Sequence, residues 1–517
     1  MKSYLACVLV LLSACGDFDG QLDQPASLTG PAVALDERLL LISGPARRAF
    51  LLDALRKQPP QRAQQVELPF GALSAQRRLG DHDEALVICA GRRDSAQEAA
   101  EPAMLTAIQS DGRRRNYELG DTPFDSLVQS DDGRYAVLYR SQERQGRVLQ
   151  NVNELVVVDL ALRPGDDGAV TSKTPEGLGH AFARALVSPE MVIAGESRRL
   201  LLLLSAAEIT IFDLAHLDRR GTIVELAANG GSAPEPRQVL FGADEPAVYV
   251  RGDGADDVFV LRLEPRSADP DLNDFRPTIN PLGAGIRPRD MALFGPPDAQ
   301  MLLVVSRDSQ ARVIDPRSDT TLPLALPFVA EHVRLFDSTA PGDSEPRTRA
   351  LLYADQGQTV AFMELTNLAS RRERKLETLQ LPAEVKSLIE IDRADTLVIA
   401  HERSVTMLDL AQRTATPVAA DQPLTSALFD AEHERLWVAT RSQPRVGTLD
   451  LASGKTRELL LDAEVRDLVP FFAGGRLVVV HPSTVGYVTF VDTEAADRKH
   501  ASSLRGFLLS DILDRGE

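Results

Sequence analysis

Apolar residues in this chain come in short runs, and the runs return at a near-regular interval. A polar turn leads into an apolar strand, a gap follows, and a second apolar strand ends on Asp. Ser130-Asp-Asp-Gly-Arg-Tyr-Ala-Val-Leu-Tyr139 is followed by Glu154-Leu-Val-Val-Val-Asp-Leu160. Asp395-Thr-Leu-Val-Ile-Ala-His401 and Ser404-Val-Thr-Met-Leu-Asp-Leu410 repeat the phrase, as do Glu434-Arg-Leu-Trp-Val-Ala-Thr440 and Arg445-Val-Gly-Thr-Leu-Asp-Leu451. The leading strand, read as the inner one, begins its apolar run at Leu39, Leu86, Ala136, Leu200, Val248, Leu302, Leu351, Leu397, Leu436 and Leu477. The intervals run from 39 residues (Leu397 to Leu436) to 64 (Ala136 to Leu200).

A helical solenoid needs apolar residues at i, i+3 and i+4 over ten or more positions, which runs such as Leu200 to Leu204 do not offer. Runs apolar on both faces suit strands sandwiched between neighbouring sheets, and a four-stranded propeller blade takes about 40–50 residues. The pattern therefore predicts an all-β fold, a β-propeller over residues 31–513 with ten repeat units. Seven to ten blades fit the count, and two stacked propellers are the alternative. The longest interval is assigned to loops at Arg163 to Gly168 and Ser172 to Gly179, and that from Val248 to Leu302 to Glu264 to Asp274. Seven units end their second strand on Asp: Asp53, Asp159, Asp213, Asp315, Asp409, Asp450 and Asp492. An Asp there accepts a bond from the backbone two residues on and starts the exit turn, so these carboxylates are read as turn formers. The apolar stretch Arg505-Gly-Phe-Leu-Leu-Ser-Asp-Ile-Leu513 follows the last unit and is expected to supply a strand that closes the ring.

Residues 1–14 differ from the rest. Lys2 precedes an apolar stretch from Tyr4 to Leu12, too short for a permanent span and shaped like a secretion signal. Leu12-Ser-Ala-Cys15 resembles the bacterial lipobox. That resemblance implies cleavage before Cys15, a diacylglycerol on its thiol and an acylated N-terminus (palmitate among the acyl groups), which together anchor a protein stably to a membrane. Residues 15–30 would then be the lipidated Cys and a flexible tether. Gly16 rather than Asp after the lipidated position leans toward the outer membrane.

The net charge of −18 gives no basic footprint for phosphate backbones, so nucleic acid is excluded as a partner. The basic runs Arg113-Arg-Arg115 and Arg371-Arg-Glu-Arg-Lys375 read as solvated loops. Of three cysteines, Cys7 lies in the leader and Cys15 is the lipid site. Cys89 is left alone in Leu86-Val-Ile-Cys-Ala90, read as a buried hydrophobe with no disulfide partner.

Catalytic signatures are sparse. The chain lacks a phosphate loop, a Cys-x-x-Cys pair, a His-Glu-x-x-His helix and a Gly-x-Ser-x-Gly elbow. His401-Glu-Arg403 and His433-Glu-Arg435 look alike, but one follows its leading strand and the other precedes it, so a shared metal is not expected. Asp269-Pro-Asp-Leu-Asn-Asp274 offers alternating carboxylates like the start of a calcium loop, yet Asp274 stands where Gly is wanted and Asn280 where Glu is wanted. Asp253-Gly-Ala-Asp-Asp257 and Asp81-His-Asp-Glu84 read as turns, and His180 and His332 as surface. No residue is assigned as catalytic, cofactor-binding or metal-ligating.

A single Trp, Trp437, speaks against the docking motifs of quinoprotein propellers, and sialidase Asp boxes, WD40 signatures and kelch Gly pairs do not recur. Trp437-Val-Ala-Thr-Arg-Ser-Gln-Pro-Arg-Val-Gly-Thr-Leu-Asp-Leu-Ala-Ser-Gly-Lys-Thr456 resembles the YVTN phrase, and Ser130-Asp-Asp-Gly-Arg-Tyr135 the TolB-like turn, of WD40-like propeller repeats in bacterial envelope proteins. The resemblance implies a lipid-anchored cell-envelope propeller. The expected role is a non-catalytic scaffold that binds an envelope protein or surface polymer. The alternative is a metal-dependent hydrolase or lactonase with its site in the central channel, built from single residues of several blades.

Overall fold

The computed structural model describes residues 27–509, apart from 56–62, 93–99, 142–152, 176–181, 207, 227–233, 268, 270, 340–346, 367–375, 390, 392–394, 420–423, 425, 441 and 496–499. The leader, Cys15, His180 and the run Arg371 to Lys375 thus lie outside the described residues.

Among the described residues the chain forms ten four-stranded antiparallel sheets. Blades 1 to 10 span residues 29–67, 72–120, 126–173, 184–225, 235–283, 288–325, 332–380, 387–419, 426–460 and 467–505. Each is a meander of strands in chain order, except that blade 4 carries an extra hairpin, Met191–Ile193 paired with Glu196–Arg198, between its first and second strands. That hairpin takes up part of the longest interval, which the sequence reading had assigned to loops alone.

The repeated phrase is the second and third strand of each blade. This corrects the reading of the leading strand as innermost. Leu200 pairs with Asp213, and Arg435 with Asp450, within such a pair. A less regular first strand lies inside them. Neighbouring blades touch through these first strands, as in blades 1 and 2, 3 and 4, 5 and 6, 6 and 7, 8 and 9, and 9 and 10. The first strand of blade 1, Thr29–Leu35, also packs against that of blade 10, Asp467–Phe471, so the ring closes on itself. Ten blades in one ring replace the alternatives of fewer blades or two stacked rings.

The core is distributed between blades, which is why the strands are apolar on both faces. Leu200, Leu202 and Leu204 of blade 4 pack against Val248, Val250 and Phe259 of blade 5, whereas Leu201 and Leu203 face Val137 and Leu155 of blade 3. The seven third-strand Asp residues form the turns expected of them. Asp53, Asp159, Asp213, Asp315 and Asp492 accept the N–H two residues on at 2.9–3.2 Å. Asp409 and Asp450 accept the N–H three residues on at 2.7 Å.

Closure uses no shared strand among the described residues. Residues Phe507–Leu509 form one 3-10 turn rather than the expected strand. A strand there would have to leave blade 10 after Arg505, but Gly506, at φ +84°, turns the chain inward. Phe507 and Leu508 then bury among Leu39, Leu41 and Phe50 of blade 1 and Val488 and Phe490 of blade 10. The Phe50 and Phe507 rings meet edge-on at 5.6 Å. Arg466 adds hydrogen bonds to the carbonyls of Leu28 and Gly30 across the same seam.

Candidate functional site

First strands begin on one face of the ring, called upper here. The links from each fourth strand to the next blade, and from each second to third strand, share this face. The residues singled out in the sequence divide between the two faces, and the structure gives most of those among the described residues structural partners.

His401 and His433 belong to different networks. His401 is buried, with Nδ1 2.8 Å from the Glu384 carbonyl and Nε2 2.7 Å from Thr406 Oγ1. His433 pairs with Asp430 at 2.9 Å, and the Trp437 indole N–H reaches the same carboxylate at 3.4 Å. The counterpart of His401 is His481 of blade 10. Its Nδ1 is 2.7 Å from the Glu464 carbonyl and its Nε2 2.8 Å from Thr489 Oγ1. Sequence reasoning missed this pair, although a signal was present. Leu381-Pro-Ala-Glu-Val-Lys386 and Leu461-Asp-Ala-Glu-Val-Arg466 each precede a His by the same distance. Each His latches the link into its blade to the third strand, a structural use of both ring nitrogens.

Cys89 occupies the same register position in blade 2. It stands two residues beyond Val87, which pairs with Thr106, just as His401 stands two beyond Ile399, which pairs with Thr406. Burial pushes its thiol up to about 12, while a bond with Thr106 pulls the other way. The thiolate that a nucleophile needs is therefore suppressed.

The acidic loop Asp269 to Asp274 is a clamp. Asp269 accepts the N–H of Asp271 at 3.0 Å in a local turn. Asp274 takes both Nη atoms of Arg198 at 2.6 Å, and Arg198 also binds Asp213 at 2.8 Å and Glu196 at 2.6 Å. Burial opposes ionisation of Asp274, but the Arg198 bonds and charge outweigh it and hold the carboxyl below its usual range. The loop thus ties blade 5 to blade 4. Glu84 of the other acidic stretch turns inward between Arg78 at 2.8 Å and Arg115 at 2.9 Å. Asp253 pairs with Arg237 and Arg251, and Asp256 accepts the Arg287 N–H at 2.9 Å. His332 stacks on Tyr353 and pairs with Asp355 at 3.1 Å. Among the described residues, no group of three or more His, Cys, Asp or Glu is placed to hold a metal ion.

A basic arc lies on the innermost strands, and one of its members, Arg237, pairs with Glu235 and Asp253. Arg184, Arg237, Arg289 and Arg334 lie within the first three positions of the strands Arg184–Val187, Glu235–Phe241, Pro288–Phe294 and His332–Ser338. Lys386 immediately precedes Ser387–Ile389. Five consecutive blades, 4 to 8, therefore place a cation near the upper end of the first strand. Arg184, Arg237, Arg334 and Lys386 are exposed, and Arg289 is half-buried. Register shifts in blades 5 and 6 make Arg237 and Arg289 the extra residues of β-bulges, a device that re-aims a side chain.

One neighbouring acid, Asp290, is used elsewhere. Asp290 accepts Gln238 Nε2 at 2.6 Å from blade 5 and the Val333 N–H at 2.8 Å from blade 7, so it braces three first strands. Arg289 Nε has no hydrogen-bond partner among the described residues. The arc stands in an otherwise acidic protein. It escaped sequence reasoning because its members lie tens of residues apart.

No protein-family model matches the chain, and no curated protein matches it. By contrast, 1165 solved chains match in structure, as befits a fold shared by many functions. One is the dihydro-heme d1 dehydrogenase NirN in complex with DHE, similar over 70% of this chain and 71% of that chain at 12% identity and a TM-score of 0.43.

Proposed function

We propose that this chain is a lipid-anchored binding scaffold of the cell envelope, and that the upper channel mouth holds an anionic partner, either an acidic envelope protein or an acidic surface polymer. The observation that carries the reading is the arc of Arg184, Arg237, Arg289, Arg334 and Lys386 on five adjacent first strands. His332, His401, His433 and His481, the Cys89 thiol and the acidic clusters are engaged in pairs, latches, turns and clamps, which favours binding over hydrolysis. Anchoring through Cys15, with the outer membrane favoured, rests on the lipobox resemblance of Leu12-Ser-Ala-Cys15.

Two measurements test the two halves separately. Poly-L-glutamate and polygalacturonate stand in for a protein and a polysaccharide partner. Replacing the five cations by Gln is expected to weaken binding of at least one by tenfold or more, and added salt to weaken the wild type. Replacing the outer cations Arg113 and Arg114 should leave binding unchanged. Equal loss from both sets of substitutions refutes the site. Labelled palmitate should enter the wild type and not Cys15→Ala, and equal labelling refutes the anchor.

A further inference from the structure

A cavity of about 140 Å³ lies between blades 8 and 9. Val405, Val418 and Leu424 line one side, and Val438, Ala439 and Leu449 the other. Its origin is one residue. Gly447 pairs with Val438 in the second and third strands of blade 9. At this register position the other nine blades all carry a side chain, from Ala361 through Thr106, Thr210, Thr406 and Thr489 to Phe50 and Phe259. The glycine is not there for a left-handed backbone, since its φ is not positive. A Cβ at Gly447 would stand 2.9 Å from Val438 Cγ2, so a side chain enters the gap only with a shift of that methyl group.

The mouth is polar. Arg445 and Glu458 lie there, whereas Arg457 alternates with Glu458 along its strand. Arg445 Nη1 binds Glu458 at 2.8 Å, but its buried Nε has no partner among the described residues. Thr456 adds a hydroxyl. An apolar chamber with a few convergent donors is the form of a small-molecule site, and a dry cavity of about 150 Å³ accepts a benzene-sized guest.

We propose that this cavity binds a small amphipathic monocarboxylate, its apolar tail of about six carbons between blades 8 and 9 and its carboxylate on Arg445. The site is separate from the channel mouth and does not depend on the scaffold reading. The test is calorimetric titration of the full chain with heptanoate and with 1-heptanol, which share the six-carbon tail. The wild type is expected to bind both, heptanoate more tightly. Gly447→Val fills the chamber and should weaken both by at least tenfold. Arg445→Gln should weaken heptanoate by about tenfold, as befits a lost charge-assisted bond, and heptanol by less than twofold. If Gly447→Val fails to fold by circular dichroism, Val418→Phe fills the same space from blade 8. Absence of heptanoate binding to the wild type overturns the proposal. So does wild-type affinity in a filled variant, or an equal loss for both ligands in Arg445→Gln.

Discussion

The seam between blades 10 and 1 and the interface between blades 8 and 9 are built to opposite standards. Among the described residues the seam buries thirteen apolar residues in one cluster, two of them from the terminal turn. The blade 8–9 cluster buries six and leaves a cavity beside them. The difference follows from connectivity. Blades 8 and 9 are joined by the short link between Ala419 and Ser426, which keeps them adjacent at little entropic cost. Blades 10 and 1 come from opposite ends of the domain, and no short link holds them together. Packing alone must close the ring there, so Phe507, Leu508 and Arg466 are recruited to it. An interface held by the chain itself can tolerate an imperfect fit and use the space.

If this comparison is right, the largest effect should come from the seam. Phe507→Ala removes a ring buried against Phe50, and large-to-small changes of this kind cost about 3–5 kcal/mol. Urea unfolding should show that loss over the whole domain, because an opened ring exposes both terminal blades. A midpoint close to that of the wild type would mean that the seam does not hold the ring.

A smaller effect should appear with pH at the same blade. His481 is stacked on Tyr487 at 4.1 Å and buried, and burial lowers its pKa. Glu464, Ala463 and Asp462 favour the proton, and Arg505 opposes it. The folded protein therefore resists a proton that the unfolded chain accepts near its ordinary value of about 6.5. The stabilising contribution is complete above that value and is lost as pH falls below it. Thermal unfolding followed from pH 7.5 to 5 should show this decline, and His481→Gln should flatten it. An unchanged slope in the variant would place the titration elsewhere.

The smallest effect belongs to the loose interface. Gly447→Ala gains strand-forming backbone restriction but presses on Val438, and the two effects are of similar size, about 1 kcal/mol or less. Stability within that margin of the wild type, measured alongside Phe507→Ala, would sharpen the contrast. A loss as large as that from Phe507→Ala would erase it.

The sequence by itself determined what depends on neighbours along the chain. Continuous apolar runs and turn residues marked the blades and gave ten repeat units, since a strand's pairing with the next strand needs only a short turn, but a single ring of ten was decided by the structure. The Asp at the end of the third strand bonds to a backbone two or three residues away, so its role was readable without any fold. The tertiary structure decided what depends on neighbours across the ring. Which strand lies innermost was hidden because the first strands are the least regular, with bulges at Arg237 and Arg289. The terminal turn packs as Phe507 and Leu508 rather than as a strand because the seam offers an apolar socket there, which blade 1 supplies from the other end of the chain. The basic arc exists only once five blades are side by side. Gly447 is one residue in a repeat phrase until the opposite face, Val405 and Val418, leaves it unfilled. Short-range bonds are written in local order, whereas sites gathered from several blades depend on the ring that brings them together.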